Sequence, residues 1–369
     1  ESLENMRVRL AVGTANSGGT TKFGELFLTP GTTRDRVLRD EPTPGLLATD
    51  ADAGAGDPDN PFRPAGPSTT LVQGDLFDEV REAVGPLAFS FSHYKLMVQP
   101  GLLPTVVDGP TPFPFEALAP ARPPDLRVAS FNLENFLPVG AELDLGTVSP
   151  QEYADKRDRL ADAIGRLMGR PEVVAVQEVG DLASLEDLAS AVGGYRAHLI
   201  EGNDSRGIDV GFLVRDEPAI RVEGVRQLGK DATNPTSATC SDVPGGLFDR
   251  PPLAIDVAAR GLRLTVISNH FSSKAAPDAC RDAQAAFVRD RVAEIEAAGG
   301  EVVVAGDRNA FEDETPLGVL EGPGTSLDNL WDRAPVGEAY SFQFNGRLQT
   351  LDHLLVTDGL APLVRDVRY

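Results

Sequence analysis

The sequence is poor in cysteine and tryptophan, with two Cys and one Trp among 369 residues. The two cysteines, Cys240 and Cys280, do not form a CxxC pair and have no adjacent histidine, which argues against a metal site. Their spacing leaves a disulfide and two buried thiols equally open. A chain of this length builds a core without needing disulfide staples.

Long apolar runs are absent, and basic residues are scarce. No window approaches twenty consecutive apolar residues, so no membrane-spanning helix is expected. Lys and Arg number 34 against 56 Asp and Glu, a formal net charge of −22. This charge makes long-range attraction of nucleic acid or of an anionic membrane implausible. Any anion that the protein binds must therefore be met by a local site.

Proline is concentrated in one stretch, which divides the chain. The prolines between positions 104 and 124 exclude a helix or a central strand, so this stretch is predicted to be an extended linker. Residues 1–120, which include most of this linker, otherwise show short alternating runs between turn residues and predict a small all-β domain. Residues 125–369 alternate apolar runs with helical patterns, around 160–168 and 280–297, and predict an α/β domain.

Polar residues stand at the ends of the predicted strands of the second domain. Each one alone is typical of a turn or a helix cap, and a lone histidine is usually structural. Because five strands show the same feature, we expect one shared site. The residues are Asn132, Glu178, Asn269 with His270, Asp307 with Asn309, and Asp352 with His353.

These residue types match what a phosphodiester hydrolase needs. A carboxylate holds a divalent cation that polarises the phosphoryl oxygen, and neutral donors bind the other oxygens. A base must stand near the attacking water, and a histidine oriented by a carboxylate suits neutral pH. Oxygen ligands from Glu178 and Asn132 favour Mg²⁺, with Mn²⁺ or Ca²⁺ as alternatives.

Six short segments occur in a particular order: 130–135 (SFNLEN), 176–178 (VQE), 207–213 (GIDVGFL), 269–271 (NHF), 306–309 (GDRN) and 351–353 (LDH). Together they resemble the endonuclease/exonuclease/phosphatase superfamily, which includes pancreatic-type DNases and abasic-site endonucleases. The resemblance covers about residues 125–369. It implies an α/β (α+β) fold, a four-layer sandwich of two packed β-sheets flanked by helices.

The resemblance also implies roles for individual residues. Glu178 is expected to be the principal metal ligand, with Asn132 beside it. Asp352 is expected to be a further ligand or the partner that orients His353, the general base for the attacking water. His270 is expected to bind the phosphate and to protonate the leaving oxygen. The remaining candidates for holding phosphate or water are Asp307, Asn309, Asn269, Arg250 and Asp209, the last of which has turn capping as an alternative role.

One residue departs from the superfamily pattern. An aromatic or apolar residue is common between the Asp and Asn of the GDxN turn, and here the residue is Arg308. Its charge would either assist substrate binding or pair with Glu312 or Asp313 at the surface. The sequence favours neither interpretation.

The N-terminal part resembles the OB-like module that precedes the catalytic domain in large secreted bacterial nucleases. The resemblance rests on segments 2–6, 23–26, 60–62 and 90–96. It implies export, and it favours a disulfide between Cys240 and Cys280. Because the chain begins Glu1-Ser2-Leu3, we expect a processed or truncated fragment without its targeting segment. The module is acidic and lacks a basic and aromatic face, so a structural or positioning role is expected.

The leading hypothesis is a secreted, divalent-metal-dependent nuclease that hydrolyses DNA or RNA by in-line attack of water. We expect a monomer with no obligate protein partner and no membrane contact. A phosphatase or phospholipid diesterase is the alternative within the superfamily. Membrane-active members would be expected to carry an exposed aromatic hairpin, and an aromatic content of 6% gives no sign of one. An inactive binding module would have lost Glu178, Asp307 or His353, and all three are present.

Overall fold

The computed structural model describes residues 6–16, 25–33, 39, 47–50, 72, 74, 76–90, 93–98, 102–109, 117–143, 146–335, 339–344 and 346–369. Much of the segments behind the N-terminal resemblance, 2–5, 23–24, 60–62 and 91–92, lies outside these residues. The chain divides into two compact units. The first is Glu1–Pro114 with Tyr340–Gln349, and the second is Phe115–Ala339 with Thr350–Tyr369.

The first unit is built from strands. They are β1 (Arg7–Ala15), β2 (Glu25–Pro30), β3 (Leu47–Asp50), β4 (Glu79–Ser90), β5 (His93–Met97) and β6 (Thr105–Val107). The sheet order is β1-β2-β3-β5-β4-β6, and β1 also pairs with β4, so that five strands close on one another. Strand β6 lies within the stretch that was predicted to be linker. This strand-rich region is consistent with the predicted all-β module.

The second unit contains two larger sheets. One has the order β11-β12-β10-β7, and the other β13-β14-β15-β16-β20-β17. Their strands are β7 (Val128–Phe136), β10 (Val173–Val179), β11 (Tyr195–Leu199), β12 (Asp209–Arg215), β13 (Ile220–Gln227), β14 (Leu253–Ala259), β15 (Leu262–His270), β16 (Val302–Asp307), β17 (Leu327–Asn329) and β20 (Asp352–Thr357). Two short hairpins are β8 (Glu142–Leu143) with β9 (Gly146–Thr147), and β18 (Phe342–Phe344) with β19 (Arg347–Gln349), the latter in the first unit.

Four layers form because each sheet is apolar on both faces. The inner faces pack on each other through residues such as Phe212, Ile255 and Val266. The outer face of the first sheet packs against α1 (Pro150–Asp162) and α2 (Leu182–Val192). The outer face of the second sheet packs against α3 (Asp278–Ala297) and α4 (Thr315–Leu320). The predicted four-layer α/β sandwich is confirmed.

The helices follow local sequence signals. Ser149 caps α1 by accepting the Glu152 N–H, and the Glu152 carboxylate accepts the Ser149 N–H in return. The predicted helix around 160–168 is the end of α1 and one π-helical turn, Ala163–Leu167. Helix α3 agrees with the predicted 280–297. None of the described helices is long and apolar enough to cross a bilayer.

Candidate active site

The polar strand ends meet at one edge of the second unit. β7 and β10 are parallel, β15 and β16 are parallel, and β20 is antiparallel to β16. His270 is therefore opposite Asp307 in the sheet, and Asp307 is opposite Asp352. A hydrogen bond from Asn132 Nδ2 to Asp307 Oδ2, 3.1 Å long, joins the two sheets at this edge. The fold thus gathers candidates that are far apart in the sequence.

The backbone at this edge is strained at several residues. Glu178, Asn135 and Asn309 have φ angles of +58°, +56° and +46°, in a region that residues with a side chain rarely occupy. The register of β10 shifts at Glu178 against both neighbouring strands, which is a β-bulge that re-aims the side chain. Such strain costs about 1–3 kcal/mol per residue and clusters at functional sites.

Glu178 is held by donors from the first sheet. Its Oε2 accepts the Asn135 N–H at 2.8 Å, and its Oε1 lies 3.2 Å from Asn132 Nδ2. The Asn132 Oδ1 accepts the Glu134 N–H at 2.8 Å, so the amide group points its nitrogen at the carboxylates. The Asn132 nitrogen thus bridges Glu178 and Asp307. This is a position where two carboxylates attract positive charge.

Asp307 and His270 complete the cluster from the second sheet. His270 Nε2 lies 3.7 Å from Glu178 Oε1 and 3.8 Å from Asp307 Oδ2. Burial, together with repulsion from Asp352, raises the pKa of Asp307 well above its ordinary value. Burial, with Arg250 and Arg206 nearby, lowers the pKa of His270 far below its ordinary value, so the ring is neutral at pH 7. The cluster therefore combines crowded carboxylates with a neutral imidazole.

The two predicted asparagines take different positions. The Asn309 N–H donates to Asp307 Oδ1 at 2.7 Å, so Asn309 belongs to the cluster. The Asn269 amide is buried and donates to the carbonyls of Ile267 and Ala305, not to the cluster. A Cβ at Gly306 would lie 2.1 Å from the Asn269 carbonyl oxygen, so only glycine fits there. Asn269 therefore stabilises the backbone where β15 and β16 pair, and it does not contact the cluster.

His353 is not brought to the cluster. It pairs with Gly306, one residue away from the Asp307–Asp352 pair, so its side chain points to the opposite face of the sheet. There Nε2 lies 3.0 Å from the Ala310 carbonyl and Nδ1 lies 3.3 Å from Asn329 Nδ2. Burial lowers the His353 pKa to about 3. The geometry contradicts the expected role as general base, and with it the idea that Asp352 orients this ring.

Arg250 is buried and stabilises the chain around the site. Its Nη1 pairs with Asp204 Oδ2 at 2.6 Å, and its Nη2 donates to the Phe271 carbonyl at 3.0 Å. Both side chains of the ion pair are almost fully buried. The expected direct contact with phosphate is not supported, because the Arg250 charge is already compensated. Arg250 instead holds the chain that follows His270.

Asp209 closes a turn beside the cluster. Its Oδ1 accepts the Gly202 N–H at 2.7 Å, and the residue is 5% exposed. Burial raises the Asp209 pKa to about 6. Of the two roles that the sequence left open, the geometry favours capping over contact with substrate.

Two basic residues near Glu178 are not among the site residues that the sequence motifs predict. Arg206, whose side chain is 59% exposed, shares Asp204 with Arg250 and acts electrostatically on Glu178. Lys156 donates to the Glu134 carbonyl, and Glu178 acts on its charge as well. Arg206 directly precedes the 207–213 segment, so its position in the sequence could have identified it as a site residue. Lys156 lies on α1, where no strand-end pattern points to it.

Arg308 lies in neither of the expected positions. It is fully buried, its Nη1 donates to the Ala305 carbonyl at 3.1 Å, and its guanidinium stands 5.4 Å from the centre of the Phe271 ring. Neither surface pairing with Glu312 or Asp313 nor direct exposure to substrate agrees with this burial. The side chain instead packs against Phe271, which belongs to the apolar core between the second sheet and α3.

The cysteines form a disulfide. The Cys240–Cys280 bond ties the loop before β14 to the start of α3. Gln284 of α3 also donates to the Leu247 carbonyl and accepts the Ser272 N–H. The alternative of two free thiols is thereby excluded, and the loop carrying Arg250 is fixed on both sides.

The donor set suits a hard divalent cation. The carboxylates of Glu178 and Asp352 and the amide oxygen of Asn132 are oxygen donors of the kind that Mg²⁺ prefers, and the Asp307 carboxylate is opposite Asp352 in the sheet. The raised Asp307 pKa and the Asn132 nitrogen between two carboxylates show that this edge favours added positive charge. Within the described part of the chain, no three His, Cys, Asp or Glu side chains already converge in ligating geometry. The carboxylates fit a divalent cation, and in this structure the Asn132 amide presents its nitrogen to them.

Comparison with known proteins gives one family match. The model of the Endonuclease/Exonuclease/phosphatase family matches residues 129–368. No curated protein matches the chain. Similar solved structures include an endonuclease/exonuclease/phosphatase from Bacteroides vulgatus, with 17% identity, 63% of this chain and 87% of that chain covered, and a TM-score of 0.47. The human Nocturnin catalytic domain, with bound sulfate, has 15% identity, 55% and 75% coverage and a TM-score of 0.44. A Bacteroides thetaiotaomicron mannosyl-6-phosphatase has 15% identity, 63% and 86% coverage and a TM-score of 0.45.

Proposed function

Because the chain belongs to the endonuclease/exonuclease/phosphatase family, whose members hydrolyse phosphoester bonds, we propose that it is a divalent-metal-dependent nuclease acting on DNA or RNA. The family match agrees with the resemblance read from the motifs. The observation that carries the proposal is the cluster at the sheet edge. There His270 Nε2 lies within 4 Å of both the Glu178 and the Asp307 carboxylates, which come from different sheets.

Glu178, Asn132 and Asp352 are the proposed metal ligands. The bound cation, Mg²⁺ first and Mn²⁺ or Ca²⁺ as alternatives, would polarise the phosphoryl oxygen and stabilise the leaving group. Asn135 holds one oxygen of Glu178 with its N–H, which leaves the other oxygen directed toward Asn132 and His270. The strained backbone thus presets the ligand direction.

Asp307 is the proposed acceptor of the proton of the attacking water, in place of His353. Its Oδ1 is fixed by the Asn309 N–H at 2.7 Å. Burial, together with the charge of Asp352, raises its pKa, which suits a base. His270 is neutral, and its Nε2 faces the cluster, so it can donate a hydrogen bond to a phosphate oxygen.

Substrate binding is assigned to basic side chains near the cluster. Arg206 and Lys156 both act on Glu178, and Arg206 is exposed. They replace Arg250 as the proposed phosphate contacts, because the charge of Arg250 is compensated by Asp204. With a net charge of −22, the protein would depend on such contacts and on the cation for its affinity.

A phospholipid diesterase is a second candidate, because one feature favours it. Phe342 and Phe344 on the hairpin β18–β19 are 45% and 55% exposed, and their ring centroids are 6.3 Å apart. This is an exposed aromatic hairpin, contrary to the expectation from the low aromatic content of the sequence. Aromatic side chains of this kind suit a membrane interface.

We further propose that the protein works outside the cell as a monomer without an obligate partner. The disulfide supports the location, because disulfides persist in oxidising compartments. Size-exclusion chromatography with light scattering tests the monomer, and secretion from cells that express the full gene tests the location.

A substrate panel tests the proposed function. Purified protein is incubated with supercoiled DNA, RNA, a phosphomonoester or sphingomyelin vesicles, in Mg²⁺, Mn²⁺, Ca²⁺ or EDTA. We expect cleavage of a nucleic acid that stops in EDTA. Selective cleavage of sphingomyelin would instead support the second candidate.

Two histidine variants serve as a matched pair in this assay. His270→Ala should lower the rate of cleavage about 10²–10⁴-fold, whereas His198→Ala, on β11 and outside the cluster, should leave it unchanged. Cleavage of no substrate in any cation, or equal cleavage by the His270 variant, would show that the proposed site is wrong.

A further inference from the structure

The loop between β11 and β12, residues 200–208, lies at the edge of the second unit that carries the cluster. It leads into Asp209, which pairs in the first sheet with the residue that follows Glu178. On its other side, the Asn203 N–H donates to the Asp249 carbonyl at 2.7 Å, in the segment just before the second sheet's β14. The loop therefore connects the strand of Glu178 to the second sheet.

Asp204 is the middle residue of this loop and binds two arginines. Its side chain is 3% exposed, and Oδ2 lies 2.6 Å from Arg250 Nη1 and 3.2 Å from Arg206 Nη2. Oδ1 accepts the backbone N–H of Arg206 at 2.9 Å and the Nε–H of its guanidinium at 3.3 Å. One buried carboxylate thus holds both the backbone and the guanidinium group of Arg206.

Arg250 connects Asp204 to the chain that carries the cluster histidine. Its Nη2 donates to the Phe271 carbonyl at 3.0 Å, and its Nε lies 3.5 Å from the His270 carbonyl. These contacts fix the buried Arg250 guanidinium relative to the end of β15. Because Arg250 and Arg206 share one oxygen of Asp204, the position of Arg206 is set relative to His270 as well.

Arg206 differs from Arg250 in its exposure to solvent. The Arg206 side chain is 59% exposed, and that of Arg250 is 6% exposed. Among the described residues, none forms a hydrogen bond or an ion pair with Arg206 Nη1, since its contacts with Asp204 use Nε and Nη2. A side chain that is already held in one orientation loses little further conformational freedom when it binds an anion.

We propose that Asp204 is a positioning residue, which holds Arg206 in the orientation in which its guanidinium group binds a phosphate group of the substrate. The inference rests on the proposed function, in which Arg206 contacts phosphate. Asp204 acts through Arg206 and does not touch the substrate. Simple electrostatics predicts the opposite effect, because removal of a negative charge beside the site should strengthen the binding of a polyanion.

Steady-state cleavage of fluorescein-labelled duplex DNA, single-stranded DNA and RNA by the full chain in Mg²⁺ tests this role. Arg206→Gln should raise KM about tenfold at an unchanged kcat, because the contact is lost in the ground state and the transition state alike. Asp204→Asn should raise KM to the same extent, and the double variant should show no further increase. A merely structural role would instead reduce the amount of active enzyme, which lowers the apparent kcat and leaves KM unchanged.

A second variant leaves the buried ion pair intact. Arg206→Lys retains the charge at an exposed position, but a lysine cannot reproduce the forked contact with Asp204, so KM should rise toward that of Arg206→Gln. The matched control is the exposed pair of Arg196 with Asp216, which lies beyond the opposite end of β12. Arg196→Gln and Asp216→Asn should leave both KM and kcat unchanged.

The outcomes separate this role from the proposed function. A wild-type protein that cleaves none of the three nucleic acids overturns the proposed function and this role with it. If the wild type cleaves, a folded Asp204→Asn variant with an unchanged or lower KM overturns only the role of Asp204. This variant leaves the charge of Arg250 uncompensated, so circular dichroism must show that it folds. If it does not fold, Arg206→Lys decides, and a wild-type KM for that variant refutes the proposal.

Discussion

Asp209→Asn should stabilise the second unit at neutral pH while leaving activity unchanged. The Asp209 carboxylate is 5% exposed and accepts the Gly202 N–H at 2.7 Å. An asparagine oxygen accepts the same hydrogen bond, so the substitution removes the charge and retains the contact. The variant therefore separates the cost of a buried charge from the benefit of a capped turn.

The expected size follows from the Asp209 pKa, which burial raises from 3.8 to about 6. A group with a raised pKa in the folded state favours folding when it is protonated, and this contribution is lost as the pH rises through the folded pKa. Below pH 3.8 the Asp209 carboxyl is protonated in both the folded and the unfolded state. The free energies of unfolding of wild type and variant should then differ only through the exchange of a neutral carboxyl for an amide. By pH 7, ionisation costs the wild type about 3 kcal/mol, since one pKa unit is worth about 1.4 kcal/mol.

Urea unfolding followed by tryptophan fluorescence measures this difference. Trp331 is the one tryptophan in the chain and lies in the second unit, so its emission reports on that unit. The stability of the variant relative to wild type should increase between pH 4 and pH 7. Asp290→Asn, at an exposed position of α3, should show a difference that does not vary with pH.

Two results would refute the reasoning. A stability difference that is flat from pH 4 to pH 7 would mean that Asp209 is not buried as a costly charge. A large loss of activity in a well-folded variant would return Asp209 to the substrate-binding role that the sequence first suggested.

Three further predictions follow from the placement of the other candidates. His353→Gln should lower the melting temperature by a few degrees but retain turnover, whereas His270→Ala should lose about 10²–10⁴-fold in turnover; comparable losses for both would refute the assignment. Arg250→Met should cost about 3–5 kcal/mol in urea unfolding, and a second change, Asp204→Leu, should recover part of it, because a lone buried charge is worse than none. Cys280→Ser should cost about 4 kcal/mol by the loop-closure model, and dithiothreitol should destabilise the wild type but not the variant.

The candidate site shows where strand-end reasoning succeeds and where it fails. Parallel strands bring their carboxyl ends to one edge, so the pattern was sufficient to place Glu178, His270 and Asp307 together. The same reasoning put His353 beside Asp352, although neighbours on a strand point to opposite faces. The face of each residue depends on the register against β16, which the sequence does not show.

Charged residues were the least predictable. Arg250 and Arg308 both follow motif positions, yet one is compensated by Asp204 and the other is buried without an ion pair. Lys156 gave no signal, because it reaches the site from a helix. Partners of long side chains come from distant segments, so a local pattern cannot identify them.

The sequence by itself determined the α/β class, the order along the chain of the strands that carry the polar residues, and the family to which the chain belongs. Periodicity and strand-end chemistry are local properties, and a local pattern is sufficient to show them. Only the tertiary structure decided that Cys240 pairs with Cys280, that His353 faces the core, and that Arg308 is buried against Phe271. These facts depend on register, on layer packing and on which distant segments meet. The two cysteines are therefore informative only once their neighbours in space are known.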